Sequence, residues 1–142
     1  MVRCGSLKQN EIIMQLTKNF KKEEFDSKDG AEMPREVLEN IKTLSKYVQL
    51  IRNEIGVQLV INSGYRSPKH NAKVGGVKNS YHVQGKAGDL NPKGITSKQL
   101  YDVIIKLIKC GFIYNGGVGL YDSFVHYDIG GQGRRWDYRK KK

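Results

Sequence analysis

Residues 34–61 read PREVLENIKTLSKYVQLIRNEIGVQLVI, and two different periodicities meet inside this stretch. Val37, Ile41, Leu44, Val48, Ile51 and Ile55 recur at spacings alternating between four and three, which lines them along one face of a helix. Pro34 suits the first turn, where a missing N–H is harmless, and Gly56 supplies a stop. Val57 to Ile61 then forms a short, apolar, β-branched run of strand length. A long amphipathic helix feeding directly into a buried strand predicts helices packed on a sheet.

Beyond this core, residues 62–88 are polar and glycine-rich, with Gly75-Gly76 in the middle. A stretch of that length is too long for a turn, and long loops in compact domains tend to carry function. Thr96 and Gln99 have the spacing of a capping box, Leu100, Val103, Ile104, Leu107 and Ile108 form a second helical face, and Gly111 ends it. Phe112 to Tyr114, Val118 to Tyr121 and Phe124 to Ile129 alternate with glycine turns and are expected to be antiparallel strands. In the other direction the first thirty residues are polar, with a short helix expected around Asn10 to Leu16 and a turn at Asp29-Gly30, so residues 1–30 read as a wrapping segment. The expectation is one α+β domain over residues 1–142, a small antiparallel sheet packed with helices, ending in a basic tail over residues 137–142.

With 25 Lys and Arg against 14 Asp and Glu, the net charge is +11, and its field attracts polyanions in general: nucleic acid, acidic lipid or the anionic polymers of a bacterial wall. Lys21 and Lys22, and then Arg134, Arg135, Arg139 and Lys140 to Lys142, hold much of the excess. The tyrosines are too scattered for a base-stacking surface, so no specific nucleic-acid partner is expected. Cys4 and Cys110 form no CxxC pair and are expected to be free thiols. No run approaches a membrane span or the apolar core of a secretory signal, so synthesis in a cytoplasm is expected.

The chain has three histidines, and two stand in contexts suited to a metal. In Ser80-Tyr81-His82-Val83-Gln84-Gly85-Lys86-Ala87-Gly88-Asp89, a turn at Gly85 followed by a strand would bring His82 and Asp89 together. In Phe124-Val125-His126-Tyr127-Asp128, strand alternation puts Phe124, His126 and Asp128 on one face. Two histidines and one carboxylate are the donor set of a catalytic zinc that keeps its fourth position open. Spacing alone leaves structural, hydrogen-bonded histidines as the alternative.

These motifs, together with Asn19-Phe20-Lys21-Lys22-Glu23-Glu24-Phe25, Ser63-Gly64-Tyr65-Arg66-Ser67, His70-Asn71 and Val74-Gly75-Gly76, occur in an order that resembles the zinc D-alanyl-D-alanine carboxypeptidase family. That family includes phage endolysin peptidases and shares its core fold with the hedgehog signalling domain. The resemblance runs from about Phe20 to Trp136. It implies a hedgehog/DD-peptidase-like fold and one Zn2+ held by His82, Asp89 and His126, with Arg66 on substrate oxygens and Ser80 either bonding substrate or capping the turn before His82. Where better-known relatives carry an acid three residues before the last histidine, this chain has Ser123. Asp128 is then the first candidate for the general base and Asp122 the second, with orientation of His126 as the other reading of Asp128. His70 has no ligand role in the family pattern, and Trp136 is expected to pack over the core rather than line the substrate site.

The implied function is hydrolysis of an amide bond in the stem peptide or cross-link of peptidoglycan, as a D-Ala-D-Ala carboxypeptidase or an endopeptidase. The alternative is a non-catalytic virion or wall-binding module that retains the fold. The expected partners are the peptidoglycan peptide and anionic wall polymers. A monomer is expected unless the chain is built into a virion, acting at the wall after lysis, export or phage delivery.

Overall fold

The computed structural model describes residues 14–140. Cys4, Lys141, Lys142 and residues 10–13 of the expected N-terminal helix lie outside the described residues. Of that helix's described part, Gln15 is not helical and instead forms an isolated bridge with Lys21.

Helix α1 spans Arg35–Ile55, with Pro34 as its N-cap and Gly56 closing it at φ 69°, a left-handed conformation that glycine adopts without a Cβ clash. Strand β1 follows at Leu59–Ser63, two residues later than the apolar run suggested. The polar stretch after it is not one loop: α2 occupies Pro68–Lys73 with Ser67 as N-cap, and β2 occupies Ala87–Pro92. Helix α3 runs over Ser97–Lys109 and carries the expected capping box between Thr96 and Gln99. Strands β3 (Gly117–Leu120), β4 (Val125–Asp128) and β5 (Arg134–Asp137) complete the chain. Phe112 to Tyr114 forms no strand; Ile113 alone is buried there, and Phe112 faces solvent.

The sheet order is β1-β2-β4-β3-β5. Its first three pairings are antiparallel, but β5 runs parallel to β3, so the sheet is mixed rather than wholly antiparallel. The residues 130–133 turn the chain so that β5 lies on the far edge of β3, and Asp137, the first residue of the expected tail, ends that strand.

Strand alternation divides the sheet cleanly. Leu59, Ile61, Leu90, Val118, Leu120, Val125 and Tyr127 are buried in one core with Ile41, Leu44, Val48 and Ile51 of α1 and Leu100, Ile104 and Leu107 of α3. Burying side chains of this size contributes roughly 1.5–3 kcal/mol each, which fixes both the register and the face. No helix among the described residues is long and apolar enough to cross a membrane.

The N-terminal segment packs Phe20 and Phe25 into this core, and Tyr65 N–H donates to the Phe25 carbonyl at 2.8 Å. Gly64 permits that approach, since a Cβ there would lie 2.8 Å from Phe25 Cα. A polar clasp secures the same junction. Asp29 accepts from the hydroxyls of Ser27 (2.7 Å) and Ser67 (2.6 Å) and from Ala31 N–H (3.0 Å), while Ser67 Oγ caps α2 by accepting from His70 N–H. The Ser67 and Ser27 hydroxyls, with the Ala31 N–H, hold the Asp29 carboxyl down at about 2.

Because the folded value is depressed, the stability this carboxylate contributes is present above its unfolded value near 4 and disappears as pH falls through about 2. Asp29→Asn should therefore lower Tm at neutral pH, with the gap to wild type closing between about pH 4 and pH 2. A gap of equal size at both ends of a calorimetric pH series would contradict the clasp.

Candidate metal centre

The face of the sheet opposite the helices carries the polar groups in register. Asp89 of β2 lies opposite His126 of β4, His126 opposite Gly119 of β3, and Gly119 opposite Trp136 of β5. One ladder step away stand Ala87, Asp128, Gly117 and Arg134. A β-bulge at Asn62 brings Ser63 opposite Asp89 at the other end of the first row. His82 comes from the loop before β2, which reverses at Gly85 with φ 74°. That turn is tight against α1: a Cβ at Gly85 would sit 2.7 Å from the Val37 carbonyl oxygen.

His82, Asp89 and His126 each present one donor atom within 4.8 Å of the others. His82 Nδ1 lies 2.8 Å from the Gly64 carbonyl oxygen, an atom that only accepts, so Nδ1 carries the proton and Nε2 a lone pair. His126 Nε2 lies 2.7 Å from Asp128 Oδ2 and donates to that carboxylate, which leaves Nδ1 facing inward. Both inward nitrogens face the same atom, Asp89 Oδ1, at 3.4 Å from His82 and 3.1 Å from His126. Three lone pairs thus point at one another. A single proton can bridge only one of these gaps, whereas a divalent cation between them satisfies all three.

The spacing agrees with that reading. Ligands bonded tetrahedrally at about 2.0–2.1 Å lie roughly 3.3 Å apart, close to both separations. Oxygen and imidazole donors in this number suit zinc.

Electrostatics reinforce the arrangement. Burial pushes the Asp89 carboxyl up, but the imidazoles of His126 and His82 beside it outweigh that and hold the group well below the ordinary carboxylate range. Burial disfavours a charged His126, yet Asp128 and Asp89 together raise its pKa. Asp128 is fully buried, and despite that burial its bonds with His126, Arg134 and Gly130 N–H keep it ionised down to about 2.

The Asp128 carboxylate is completely engaged. Oδ2 holds His126, while Oδ1 accepts from Gly117 N–H (3.1 Å), Gly130 N–H (3.0 Å) and the Arg134 guanidinium. It binds the outer nitrogen of His126, away from the inward lone pairs. This is the geometry of the other reading of Asp128, orientation of His126. Asp122 is exposed in the β3–β4 turn, accepts from Lys140 N–H at 3.3 Å, and is not among the residues lining the cleft.

Around the triad lies an open cleft of about 600 Å³. Arg66 enters it with Nη2 3.6 Å from Asp89 Oδ2, its other nitrogens held by Ser63 Oγ and Asn71 Oδ1. Ser80 is buried at its edge and caps the turn, its Oγ accepting from His82 N–H at 3.1 Å. His70 sits in α2 and is not among the lining residues. Trp136 does not pack in the core: its indole stands in the cleft wall, 5.1 Å from the His126 ring. Phe124 lines the cleft on the face that strand alternation gave it, and Tyr121, Tyr138, Tyr81 and Arg134, to which the sequence assigned no site role, line it too. Extending the same alternation across the turn would have found Tyr121.

The family model described as Peptidase M15 matches residues 6–128. No curated protein matches the chain.

Gly119 makes room for the indole, because a Cβ there would meet Trp136 Nε1 at 2.2 Å. Gly119→Ala should force the indole to move, destabilise the protein by about 1–3 kcal/mol and shift the emission of Trp136, the only tryptophan. Unchanged emission and Tm in this variant would show that the indole does not lie over Gly119.

Proposed function

Since the chain belongs to the peptidase M15 family, zinc-dependent peptidases that act on peptidoglycan, we propose that it hydrolyses an amide bond in the stem peptide or cross-link, with His82, Asp89 and His126 as the zinc ligands. The observation that carries this reading is the meeting of three lone pairs on one side of the sheet, with the outer nitrogen of each imidazole already committed. A zinc ion bound there supplies Lewis-acid polarisation of the amide carbonyl and lowers the pKa of water toward roughly 7.

The chain's own residues then divide the work. Asp128 orients His126 and fixes its tautomer, and Arg134 with two backbone N–H groups holds Asp128 ionised. The Gly64 carbonyl does the same for His82. Arg66, anchored to Ser63 and Asn71, presents its fork to substrate carbonyl or carboxylate oxygen. Ser80 braces the turn that delivers His82. The net charge of +11 concentrates the protein near anionic wall polymers, where its substrate lies.

The test is incubation of zinc-loaded protein with peptidoglycan and identification of new peptide ends by mass spectrometry. Wild type should release them, while His126→Ala and a chelated sample should not. Intact muropeptides from a range of walls would instead support a binding module that keeps the fold. Asp128→Asn separates the two roles for that residue: an orienting carboxylate predicts zinc affinity about 10–100-fold weaker. Full zinc content with lost turnover would return Asp128 to the role of base.

A further inference from the structure

Asp89 and His126 share one row of the sheet face, and the next row on the side away from Asp128 is aromatic. Tyr121 follows β3 directly and continues the alternation Gly117, Gly119, Tyr121, so it rises on the same face as His126. Its ring stacks on Phe124 with centroids 4.4 Å apart and planes within 7°. Tyr121 lines the cleft that contains the triad, within electrostatic reach of both Asp89 and Arg66.

The Tyr121 hydroxyl is polarised in one direction by its neighbour. Trp136 Nε1 lies 3.0 Å from Tyr121 Oη, and an indole N–H can only donate. The phenol oxygen therefore accepts from Trp136, and its own proton must point elsewhere. Among the described residues that hydroxyl donates to no protein group. Trp136 is itself held against His126 by the vacancy over Gly119, so the donor is tied to the ligand row by a rigid chain of contacts.

We propose that Tyr121 is a catalytic hydrogen-bond donor to the carbonyl oxygen of the scissile amide, and that Trp136 is the positioning residue that aims it. This rests on the peptidase reading above. In the hydrolysis, water oxygen bonds to the amide carbon and the carbonyl π electrons move onto oxygen. The C–N bond then breaks with its electron pair staying on nitrogen, both protons of the water end on that nitrogen, and amide plus water yield a carboxylate and an ammonium group. Negative charge grows on the carbonyl oxygen in the first step, where a pre-aimed donor strengthens without moving. Tyr121 lends a hydrogen bond and keeps its proton throughout.

The experiment compares wild type, Tyr121→Phe, Trp136→Phe and the double variant, all as zinc-loaded full chains. Turnover is read on purified muropeptides, and affinity for a phosphinate analogue of the tetrahedral carbon is read by calorimetry. Tyr121→Phe should lower kcat about 10²-fold with KM and zinc content near wild type, and weaken the phosphinate by a similar factor. Trp136→Phe should lose less, and the double variant should be no worse than Tyr121→Phe alone, because Trp136 acts through Tyr121. Wild-type kcat and phosphinate affinity in Tyr121→Phe would overturn the proposal. Additive losses in the double variant would overturn the positioning role of Trp136. Should wild type release no peptides, the peptidase reading fails by itself, and the phosphinate affinities still decide whether Tyr121 donates.

Discussion

The antiparallel pairing that sets Asp89 of β2 opposite His126 of β4 is the constraint on which the rest depends. A slip of β2 by one residue would turn Asp89 to the helix side and expose Leu90, and a slip of β4 would do the same to His126 and expose Val125 and Tyr127. Each of those is worth roughly 1.5–3 kcal/mol of burial, far more than the strain of crowding polar groups on the other face. Hydrophobic burial against α1 and α3 thereby sets Asp89 against His126, and the turn at Gly85, packed on Val37 of α1, adds His82.

What the core cannot do is set tautomers, and that falls to groups around the triad. The Gly64 carbonyl and the Asp128 carboxylate bind opposite ring nitrogens of the two histidines, Nδ1 in one and Nε2 in the other, and both choices turn a lone pair toward Asp89. Asp128 is buried, and a buried carboxylate would be costly alone; Arg134 reaches it across Gly117, where a Cβ would collide with both groups. Glycines at 117 and 119 each create a side-chain void that a neighbour from β5 fills, Arg134 in one and Trp136 in the other. The parallel edge strand is thus part of the site.

Much of this was legible in sequence where the signal is local. The period of α1, its glycine stop and the capping box of α3 were readable because each rests on residues within a turn or two. Strand alternation likewise placed His126 and Asp128 on one face. The convergence of Asp89 with His126 became an expectation only through resemblance, since β2 pairs with β4 across thirty-odd residues that hold α3 and β3. Strand β5 stayed hidden because Arg134, Arg135, Trp136 and Asp137 show no apolar alternation; its outer face is solvent and its inner face is the cleft. Trp136 was therefore read as core, and the engagement of Asp128 by Arg134, six residues away over a turn, could not be seen without β5 in place.

The most direct measurement is a crystal structure of zinc-loaded protein with anomalous data collected on both sides of the zinc absorption edge. The expected result is one anomalous peak bonded to His82 Nε2, Asp89 Oδ1 and His126 Nδ1 at about 2.0–2.2 Å, with Asp128 still on His126 Nε2. A peak elsewhere, or zinc bound with either histidine turned away from Asp89, would contradict the arrangement on which the proposed hydrolysis rests.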